Sequence, residues 1–426
     1  MKHFALDLTA ASPLAIRADH APFGAAGVKY IPGSTLLGGL AVLYRQFYQG
    51  REEMELFAPL FLQERVFYPN LYPAIFKDSG LQGQFSPVYP LPRTAQSCKR
   101  HQGFRFPEDD DNDAHGVRDS LIDGALLNLP ISDEQRLKIL RGPDQNCHCK
   151  EPLDYFEGYY RRNSLKPKEM IAASSEKYTR LQTHTGINRA SGTVQNGILY
   201  NRQVFDEGMQ FWGEVIFPGD ERILNGFRRF LDETGSSGLL RLGTGRTRGM
   251  GKVMVALREM EEASVQDRQA TFRKRLEDFD AAMRQRAEYF KLDRLPHGFY
   301  FALTLHAPLI LCDELLRYRG VIGEKTLQEL LGGLAVPGLE LIHHAASTKR
   351  VTGWQEVWGT PRAAEFALET GSVFLFACAS PPDSELLAAL FKLEEEGAGK
   401  RRAEGFGRVC ISDQFHRQVQ QEEVRR

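Results

Sequence analysis

The alternation of apolar and polar residues predicts two similar folding units along the chain. Residues 4–16 alternate as in a β-strand that Ser12-Pro13 interrupts, and residues 299–311 repeat this pattern around a proline of their own. Each unit ends in a basic, glycine-rich loop followed by an apolar strand. We call these the first glycine loop (residues 242–252) and the second glycine loop (residues 400–408). Because the same order of elements occurs twice, we predict a duplicated fold.

Helical patterns are clearest in two segments. The apolar run after Tyr30 contains Ser34 and Thr35 at its start, and we expect one of these to cap the exposed backbone donors of a helix. Between the units, residues 259–294 place apolar side chains at spacings of three and four among many charges. This spacing predicts a bridging helix that packs on one domain.

In the first unit, the order of a strand, a capped helix, further strands and a terminal strand predicts an α+β sheet fold of ferredoxin type. The expected N-terminal domain covers residues 1–257, a helical linker covers 258–295, and the C-terminal domain covers 296–426. Residues of about 92–152 carry an acidic run, several turn residues and half of the cysteines. We interpret them as an insertion in the first domain.

Composition adds a soluble, globular character to this prediction. The 426 residues are 42% apolar and 26% charged, which is enough apolar material for real cores. The apolar stretches are too short to cross a bilayer, and the N-terminus lacks the apolar core of a signal peptide. Six cysteines in a chain of this length favour a reducing compartment, so we expect a cytoplasmic protein without a membrane partner.

The net charge of −1 conceals a segregation of charges along the chain. Residues 234–257 contain no acidic residue but include Arg241, Arg246, Arg248 and Lys252. Nucleic-acid binding depends on such local patches rather than on the total charge. The pattern therefore permits a nucleic-acid ligand.

The first glycine loop is the strongest candidate for anion binding. Glycines allow the backbone to approach a phosphate chain, and interleaved arginines supply charge and bidentate geometry. A Walker loop would require glycine where Arg246 stands, and the dinucleotide fingerprint would require glycine where Arg248 stands, so spacing excludes both. A glycine-rich hairpin with solvated arginines is the alternative interpretation.

The segment 184–200 is polar, basic and rich in turn formers before it becomes strand-like. Long loops of this composition are functional or mobile. Arg189, His184 and Tyr200 are candidates to contact a phosphate, a hydroxyl group and a base face of RNA, respectively.

The cysteines of the insertion form a possible metal site. Cys98 and His101 precede Cys147 and Cys149 by a long gap, and His115 lies between them. Thiolates and imidazoles in this number suit tetrahedral zinc, which would staple a segment with a poor core. We predict structural zinc on Cys98, His101, Cys147 and Cys149, with ordinary free cysteines as the alternative.

Several of these motifs resemble the CRISPR-associated RAMP superfamily. The resemblance rests on Ser12-Pro13-Leu14, residues 30–41, Thr185-Gly-Ile-Asn-Arg189 and both glycine loops, in that order. Within the superfamily the chain resembles the large tandem subunit of type III-D effector complexes, the Csx-ten group. Thr352-Gly-Trp354 adds to this likeness in the second unit.

The resemblance implies two tandem ferredoxin-like (RRM-like) RAMP domains and a role like that of Cas-five proteins. Such a subunit would hold the 5′ handle of the guide RNA (crRNA) and contact a large Cas-ten-type subunit and a Cas-seven-type backbone subunit. We expect no catalytic residues. The predicted RNA-binding residues are Lys29, Tyr30, His184, Arg189, Arg241, Arg246, Arg248, Lys252, Arg402 and Arg408.

Two other functions are compatible with the sequence. Related endonucleases of the superfamily cut RNA without metal, and His20, Lys29 and Tyr30 lie where such a site would form. A structural cap that touches RNA only incidentally is the other possibility. Asp119 invites comparison with the target-cleaving aspartate of backbone subunits, but its surrounding pattern differs, and we interpret it as structural or zinc-adjacent.

Overall fold

A computed structural model defines most of the chain. It describes residues 1–17, 27–74, 87–104, 114–142, 147, 149–162, 170–172, 179–188, 190–217, 219–260, 264–292, 295–355 and 359–417. Both helices and antiparallel sheets are present, so the expected α+β class is confirmed. Within these ranges, no helix combines the length and the apolar character that a membrane span requires.

The first unit and its insertion contain most of the strands. In chain order, the elements are β1 (Lys2–Ala10), α1 (Gly33–Phe47), α2 (Phe57–Phe61), β2 (Tyr72–Pro73), β3 (Tyr89–Pro90), β4 (Ala95–Cys98), β5 (Val117–Asp119), α3 (Leu121–Asn128), α4 (Asp133–Leu140), β6 (Leu153–Tyr155), β7 (Tyr159–Arg162), β8 (Met170–Ala172), β9 (Thr179–Ile187), β10 (Val194–Phe205), β11 (Gln210–Phe217), α5 (Glu221–Thr234) and β12 (Val253–Glu259).

The remainder of the chain begins with a long helix. Its elements are α6 (Val265–Tyr289), β13 (Phe299–Leu305), α7 (Glu324–Leu330), β14 (Glu340–Ala345), β15 (Thr348–Val351), β16 (Trp354–Gln355), β17 (Thr360–Pro361), β18 (Glu365–Leu368), β19 (Val373–Cys378), α8 (Ser384–Glu396) and β20 (Val409–Ile411).

Two four-stranded sheets share one strand order. The first sheet runs β12-β1-β11-β2 and the second runs β20-β13-β19-β14, and all neighbouring strands are antiparallel. In each sheet the first strand of the unit is central, flanked by the last and the penultimate strands. A helix follows the first strand and another precedes the last, namely α1 and α5 in the first unit and α7 and α8 in the second. The two units therefore repeat the same order of elements.

Each sheet buries one face against its own helices. In the first core, Leu6 of β1, Leu36 of α1 and Phe227 of α5 are completely buried together. In the second core, Phe301 of β13 and Leu390 of α8 are equally buried. Burial of one such side chain contributes about 1.5–3 kcal/mol, so these apolar faces hold each unit together.

The second sheet is covered on its other face as well. Tyr300 and Ala302, which alternate with Phe301 along β13, pack in a core with residues of α6 and α3. The helix α3 belongs to the insertion in the first unit, yet it contacts β14 and α6. At this contact Asp123 of α3 binds Arg286 of α6 through two hydrogen bonds of 2.7 and 2.8 Å. The insertion thus ties the two units together.

The predicted bridging helix is confirmed as α6. Its stripe of Phe272, Leu276, Phe279, Met283, Ala287 and Phe290 is buried against the second unit. The predicted cap of α1 is wrong, because α1 begins at Gly33 after Pro32 without a side-chain cap, and Ser34 and Thr35 lie inside its first turn. The Asn70 Oδ1 atom accepts a hydrogen bond of 2.9 Å from the backbone N–H of Gly33 instead.

The two glycine loops have the same backbone conformation. Each contains a short 3₁₀-helix, Arg246–Arg248 in the first loop and Arg402–Glu404 in the second. The N–H of Gly251 donates to the Pro13 carbonyl at 2.9 Å, and that of Gly407 donates to Pro308 at 2.8 Å. Residues with positive φ fall at matching positions. These are Gly243, Gly245, Gly249 and Gly251 in the first loop, and Gly399, immediately before the second loop, with Arg401, Gly405 and Gly407 within it.

The surroundings of the two loops differ. The first loop exposes Arg246 and Arg248 at the surface, whereas the second packs against the first unit. Asn70 Nδ2 donates to the carbonyl of Gly405 at 2.7 Å, and a Cβ atom at position 405 would lie 2.7 Å from Asn70 Oδ1. One copy of the duplicated loop is therefore part of the interface between the units.

A cluster of charged side chains also joins the units. His3 Nδ1 lies 2.8 Å from Glu214 Oε1, and His3 Nε2 lies 3.3 Å from Glu395 Oε2. Arg408 binds Glu214 at 3.0 Å, and Arg268 binds Glu395 at 2.7 Å. Burial opposes protonation of His3, but the two carboxylates outweigh it and raise the His3 pKa above 6.5. Burial disfavours ionised Glu214, but His3 and Arg408 lower its pKa to about 2.

This cluster predicts a pH dependence of stability. The contribution of His3 to the free energy of unfolding is fully present below 6.5, the pKa of His3 in the unfolded chain. This contribution is lost as the pH rises through the higher pKa of His3 in the folded protein. The contribution of Glu214 to the free energy of unfolding is fully present above pH 4.5 and is lost as the pH falls towards about 2. We expect His3→Gln to lower the free energy of unfolding most between pH 4.5 and 6.5, and less at alkaline pH. Urea titrations across this range measure the difference, and a pH-independent difference would contradict the assignment.

Candidate nucleic-acid interface and cysteine cluster

The exposed arginines of the first glycine loop lie beside the hairpin of β9 and β10. Arg248 Nη1 donates a hydrogen bond of 2.7 Å to the Tyr200 hydroxyl, and Arg202 Nη1 lies 3.5 Å from the Met250 sulfur. Strand pairing places Tyr200 directly opposite His184. The structure therefore brings together two segments that are distant in the sequence, the first glycine loop and residues 184–200.

Aromatic and basic groups alternate at this site. The rings of His184 and Tyr200 are stacked, with centroids 5.3 Å apart and an interplanar angle of 22°. Tyr200 links this stack to the guanidinium of Arg248. Stacked rings next to guanidinium groups suit a single-stranded nucleic acid, because bases stack on ring faces while phosphates bind cations.

Positive charge accumulates around Arg202. Partial burial lowers the pKa of Arg202, and the nearby positive charges of Arg17 and Arg248 lower it further. Arginine stays charged near neutral pH despite such a shift, so the three guanidinium groups repel one another. A bound polyanion would relieve this repulsion, so the cluster presents concentrated positive charge to an anion. We call Arg17, Arg202, Arg248, Tyr200 and His184 the basic cluster.

Three other predicted RNA-binding residues lie on the same loop or at its base, and one lies outside the described part of the chain. Arg246 is exposed on the 3₁₀-helix of the first glycine loop. The backbones of Arg241 and Lys252 form an antiparallel β-bridge at the base of that loop. Arg241 Nη1 donates a hydrogen bond of 3.4 Å to the Met250 carbonyl. Arg189 is outside the described residues, as is His20.

Lys29 and Tyr30 have their own contacts within the chain. Lys29 forms an exposed ion pair with Glu157. The hydroxyl of Tyr30 lies 3.4 Å from Lys349 Nζ, and its ring centroid is 5.7 Å from that of Tyr72. Glu157 and Tyr72 belong to the first unit and Lys349 to the second, and none of these contacts involves the basic cluster.

The arginines of the second glycine loop bind groups inside the protein. Arg402 donates to the Glu396 carbonyl at 3.2 Å and lies over the Phe67 ring. Arg408 binds Glu214 at 3.0 Å and the Glu395 carbonyl at 3.1 Å. The structure therefore does not bring these two predicted RNA contacts to the basic cluster, because packing between the units occupies this loop.

Two members of the basic cluster, Arg202 and Arg17, are not among the RNA-binding residues that the sequence predicts. Arg202 lies in β10, within the acid-free stretch that follows His184. Arg17 follows the proline-interrupted strand and pairs with Gly27. Their signal in the sequence is only a basic residue in or next to a strand, and the contact of Arg202 with Met250 of the glycine loop joins segments that are distant in the chain.

Three cysteines and one histidine of the insertion meet at one point. Cys98 Sγ lies 3.6 Å from Cys149 Sγ, and His115 Nδ1 lies 3.1 Å from Cys147 Sγ. All four potential ligand atoms are within 4.8 Å of one another. These residues could hold a metal ion. We call them the cysteine cluster.

The predicted histidine ligand, His101, is a different residue from the one in the cysteine cluster. Its ring stacks on that of His115 with centroids 4.3 Å apart, and its backbone N–H points to Cys98 Sγ at 3.4 Å. Burial opposes ionisation of the Cys98 thiol, but backbone N–H groups of His101 and Arg100 outweigh it and lower the pKa of Cys98. His101 thus contributes its backbone N–H, and His115 replaces it as the potential ligand.

Asp119 has a structural partner rather than an exposed position. Its Oδ2 atom lies 2.8 Å from His416 Nδ1, and both side chains are completely buried. The other ring nitrogen of His416 lies 2.8 Å from the Thr304 hydroxyl. Burial lowers the pKa of His416, but the Asp119 carboxylate raises it by more, so the pKa of His416 lies above its usual value. This pair joins the insertion to the C-terminal segment, in agreement with the structural interpretation of Asp119.

Comparison with known proteins places the chain in a family. The family model of the RAMP superfamily matches residues 7–254. Among solved structures, a chain of the type III-B Cmr-beta complex bound to cognate target RNA is similar, with 12% identity, a TM-score of 0.37 and coverage of 87% of this chain and 86% of that chain. A chain of the Cmr-beta apo state shares 12% identity with a TM-score of 0.31, covering 60% of this chain and 97% of that one. Among curated proteins, no sequence matches significantly. Because the family model matches more than half of this chain, the chain belongs to the RAMP superfamily.

Proposed function

We propose that the protein is a non-catalytic, RNA-binding subunit of a type III CRISPR effector complex. The observation that carries this proposal is the basic cluster, in which Arg248, Tyr200 and His184 form a continuous row beside Arg202 and Arg17. Membership of the RAMP superfamily supports RNA as the polyanion.

In this proposal the guanidinium groups bind phosphates and the stacked rings bind a base. Arg202 and Arg248 neutralise successive phosphates of a single strand, while the His184–Tyr200 stack offers a ring face to an adjacent base. The glycines of the first loop keep the backbone close to the strand. Shape and a few base contacts then fix the 5′ handle of the crRNA.

The motif resemblance supports a more specific assignment within the superfamily. The protein is of the Csx-ten type found in type III-D complexes, with a Cas-five-like position, and it contacts a large Cas-ten-type subunit and a Cas-seven-type backbone subunit. Each unit is a ferredoxin-like domain, which is supported by the repeated strand order and by the matching conformations of the two glycine loops. The domain limits near residues 257 and 296 follow from the same proposal.

The ribonuclease alternative has weaker support. Its candidate helpers, Lys29 and Tyr30, are engaged with Glu157 and Lys349. A metal-independent nuclease needs a histidine base within hydrogen-bonding reach of the attacking 2′-hydroxyl. Among the described residues of the basic cluster, His184 is the one imidazole, and it is stacked on Tyr200. We therefore assign the cluster to binding.

Incubation of the full chain with labelled repeat RNA in EDTA tests the proposal. On native gels we expect a shifted complex that weakens as salt rises, and on denaturing gels we expect intact RNA. A discrete cleavage product in EDTA would establish the ribonuclease alternative. Binding that is absent at low salt would support the structural cap.

A further inference from the structure

The cysteine cluster lies at one end of a small sheet that has little core of its own. The strands β5, β4 and β6 form a three-stranded antiparallel sheet. Among the residues that the structure describes, its buried apolar neighbours form a cluster of six that includes Ala95, Phe104 and Val117. Small sheets with so little buried apolar area usually need a covalent or metal cross-link.

The four side chains come from three separate segments that meet at this end. Cys98 is the last residue of β4, His115 precedes β5 by two positions, and Cys147 and Cys149 precede β6. A single ion bound by all four would therefore connect every strand of the sheet. Two sulfur atoms on a tetrahedral zinc ion with bonds of about 2.3 Å are about 3.8 Å apart. The Cys98–Cys149 distance of 3.6 Å is close to that value and far from a covalent disulfide bond.

We propose that the protein binds one structural Zn²⁺ ion through Cys98, His115, Cys147 and Cys149. Three thiolates and one imidazole are a donor set that selects zinc over magnesium or calcium, whose preferred ligands are oxygen atoms. With four protein ligands the ion has no open position for a substrate or water, as expected for a structural site. The site is independent of the RNA-binding function.

The surroundings of the ligands support this assignment. In the turn after β4, the backbone N–H of His101 points to Cys98 Sγ at 3.4 Å, an arrangement that stabilises a thiolate. The His101 ring stacks on His115 with centroids 4.3 Å apart and fixes the orientation of the ligand ring. His101 is therefore a positioning residue, which explains why Cys98-x-x-His101 resembles a ligand pair in the sequence.

The ion would also stabilise the contact between the two units. The helix α3 begins two residues after β5. It packs on β14 of the second sheet and on the helix α6, which covers the same face. Loss of the ion would loosen β5 and, with it, the start of α3. We expect chelation to increase hydrogen exchange in β4, β5 and α3, and to leave hydrogen exchange in β1 and α1 unchanged.

Metal analysis of the full chain, purified under reducing conditions, tests the proposal. We expect about one zinc per chain in the wild-type protein and a large loss of zinc in Cys149→Ser. Cys149 is exposed, so serine at this position removes a ligand without opening a cavity. His115→Asn is expected to lose zinc as well. Cys312→Ser is the matched control, because Cys312 lies outside the cluster, and it is expected to retain zinc. His101→Asn keeps the backbone N–H but removes the stacked ring, so it is expected to bind zinc more weakly than the wild-type protein and to lose less zinc than His115→Asn.

Cobalt substitution provides a readout that does not depend on the variants. Co²⁺ in the wild-type protein is expected to give the intense visible bands and the thiolate charge-transfer absorption of a tetrahedral site with three sulfur ligands. Retention of zinc by His115→Asn together with loss in His101→Asn would overturn the ligand set. Iron in place of zinc, a Cys98–Cys149 disulfide, or a metal-free native protein with reactive thiols would each overturn the zinc site itself.

Discussion

Replacing Arg202 and Arg248 together by glutamine is expected to weaken the binding of repeat RNA about a hundredfold at moderate salt, at about tenfold for each lost phosphate contact. Both guanidinium groups belong to the basic cluster and are held beside the first glycine loop. Because each phosphate contact on a single strand contributes about 0.7 to the slope of log affinity against log salt, the slope should fall by about 1.4. Fluorescence anisotropy at several salt concentrations measures both quantities.

The duplicated loop supplies a matched control for this experiment. Arg402 occupies the position in the second glycine loop that Arg246 occupies in the first, but it binds the Glu396 carbonyl. Arg402→Gln is expected to leave RNA affinity and salt slope unchanged. Arg222→Gln, which alters an exposed ion pair with Glu55, controls for a general loss of charge. Equal losses of affinity in all variants would mean that RNA binding depends only on the total charge of the protein. That result would contradict a defined RNA-binding site at the basic cluster.

Replacing Asp123 by alanine is expected to destabilise the chain by about 3–5 kcal/mol, because the variant leaves the Arg286 guanidinium buried without its carboxylate. Asp123 and Arg286 form two hydrogen bonds of 2.7 and 2.8 Å, and their side chains are 9% and 11% exposed. The pair connects α3 of the insertion with α6 on the second sheet. Thermal unfolding reports the loss, and hydrogen exchange of α3 reports whether it is local to this contact.

Two further variants make the interpretation specific. Glu134→Ala removes an exposed ion pair with Lys138 in the same insertion, and it is expected to leave the unfolding midpoint unchanged. Asp123→Leu combined with Arg286→Met removes both charges and should recover most of the lost stability, since apolar residues can replace a buried ion pair. A double variant as unstable as Asp123→Ala would show that shape rather than charge dominates this contact.

Much of the fold could be predicted from the sequence where patterns are local. The apolar stripe of α6, from Phe272 to Ala287, specifies one buried face, and the structure buries all of it. The repeated glycine positions predict repeated loops because positive φ angles require glycine at nearly every such position. The sequence prediction also named three of the four residues in the cysteine cluster, from the residue types that bind zinc.

The remaining features depend on contacts between segments that are distant in the chain. The sequence cannot distinguish His101 from His115 as a ligand, because the choice depends on how the start of β5 approaches Cys98. Both glycine loops look equally suited to phosphate, yet packing against Asn70 buries the second. The position of α3 on the second sheet is equally non-local, since its own residues predict only an apolar helix.

The central claim is that the first glycine loop and the β9–β10 hairpin form the surface that contacts RNA. Photo-crosslinking of thiouridine-containing repeat RNA to the full chain, followed by mass spectrometry of the crosslinked peptides, tests this claim most directly. We expect crosslinks at His184, at Tyr200 and within residues 245–250. The yield of these crosslinks should decrease in the variant that combines Arg202→Gln with Arg248→Gln. Crosslinks confined to the second unit, with none on the hairpin or the first loop, would contradict it.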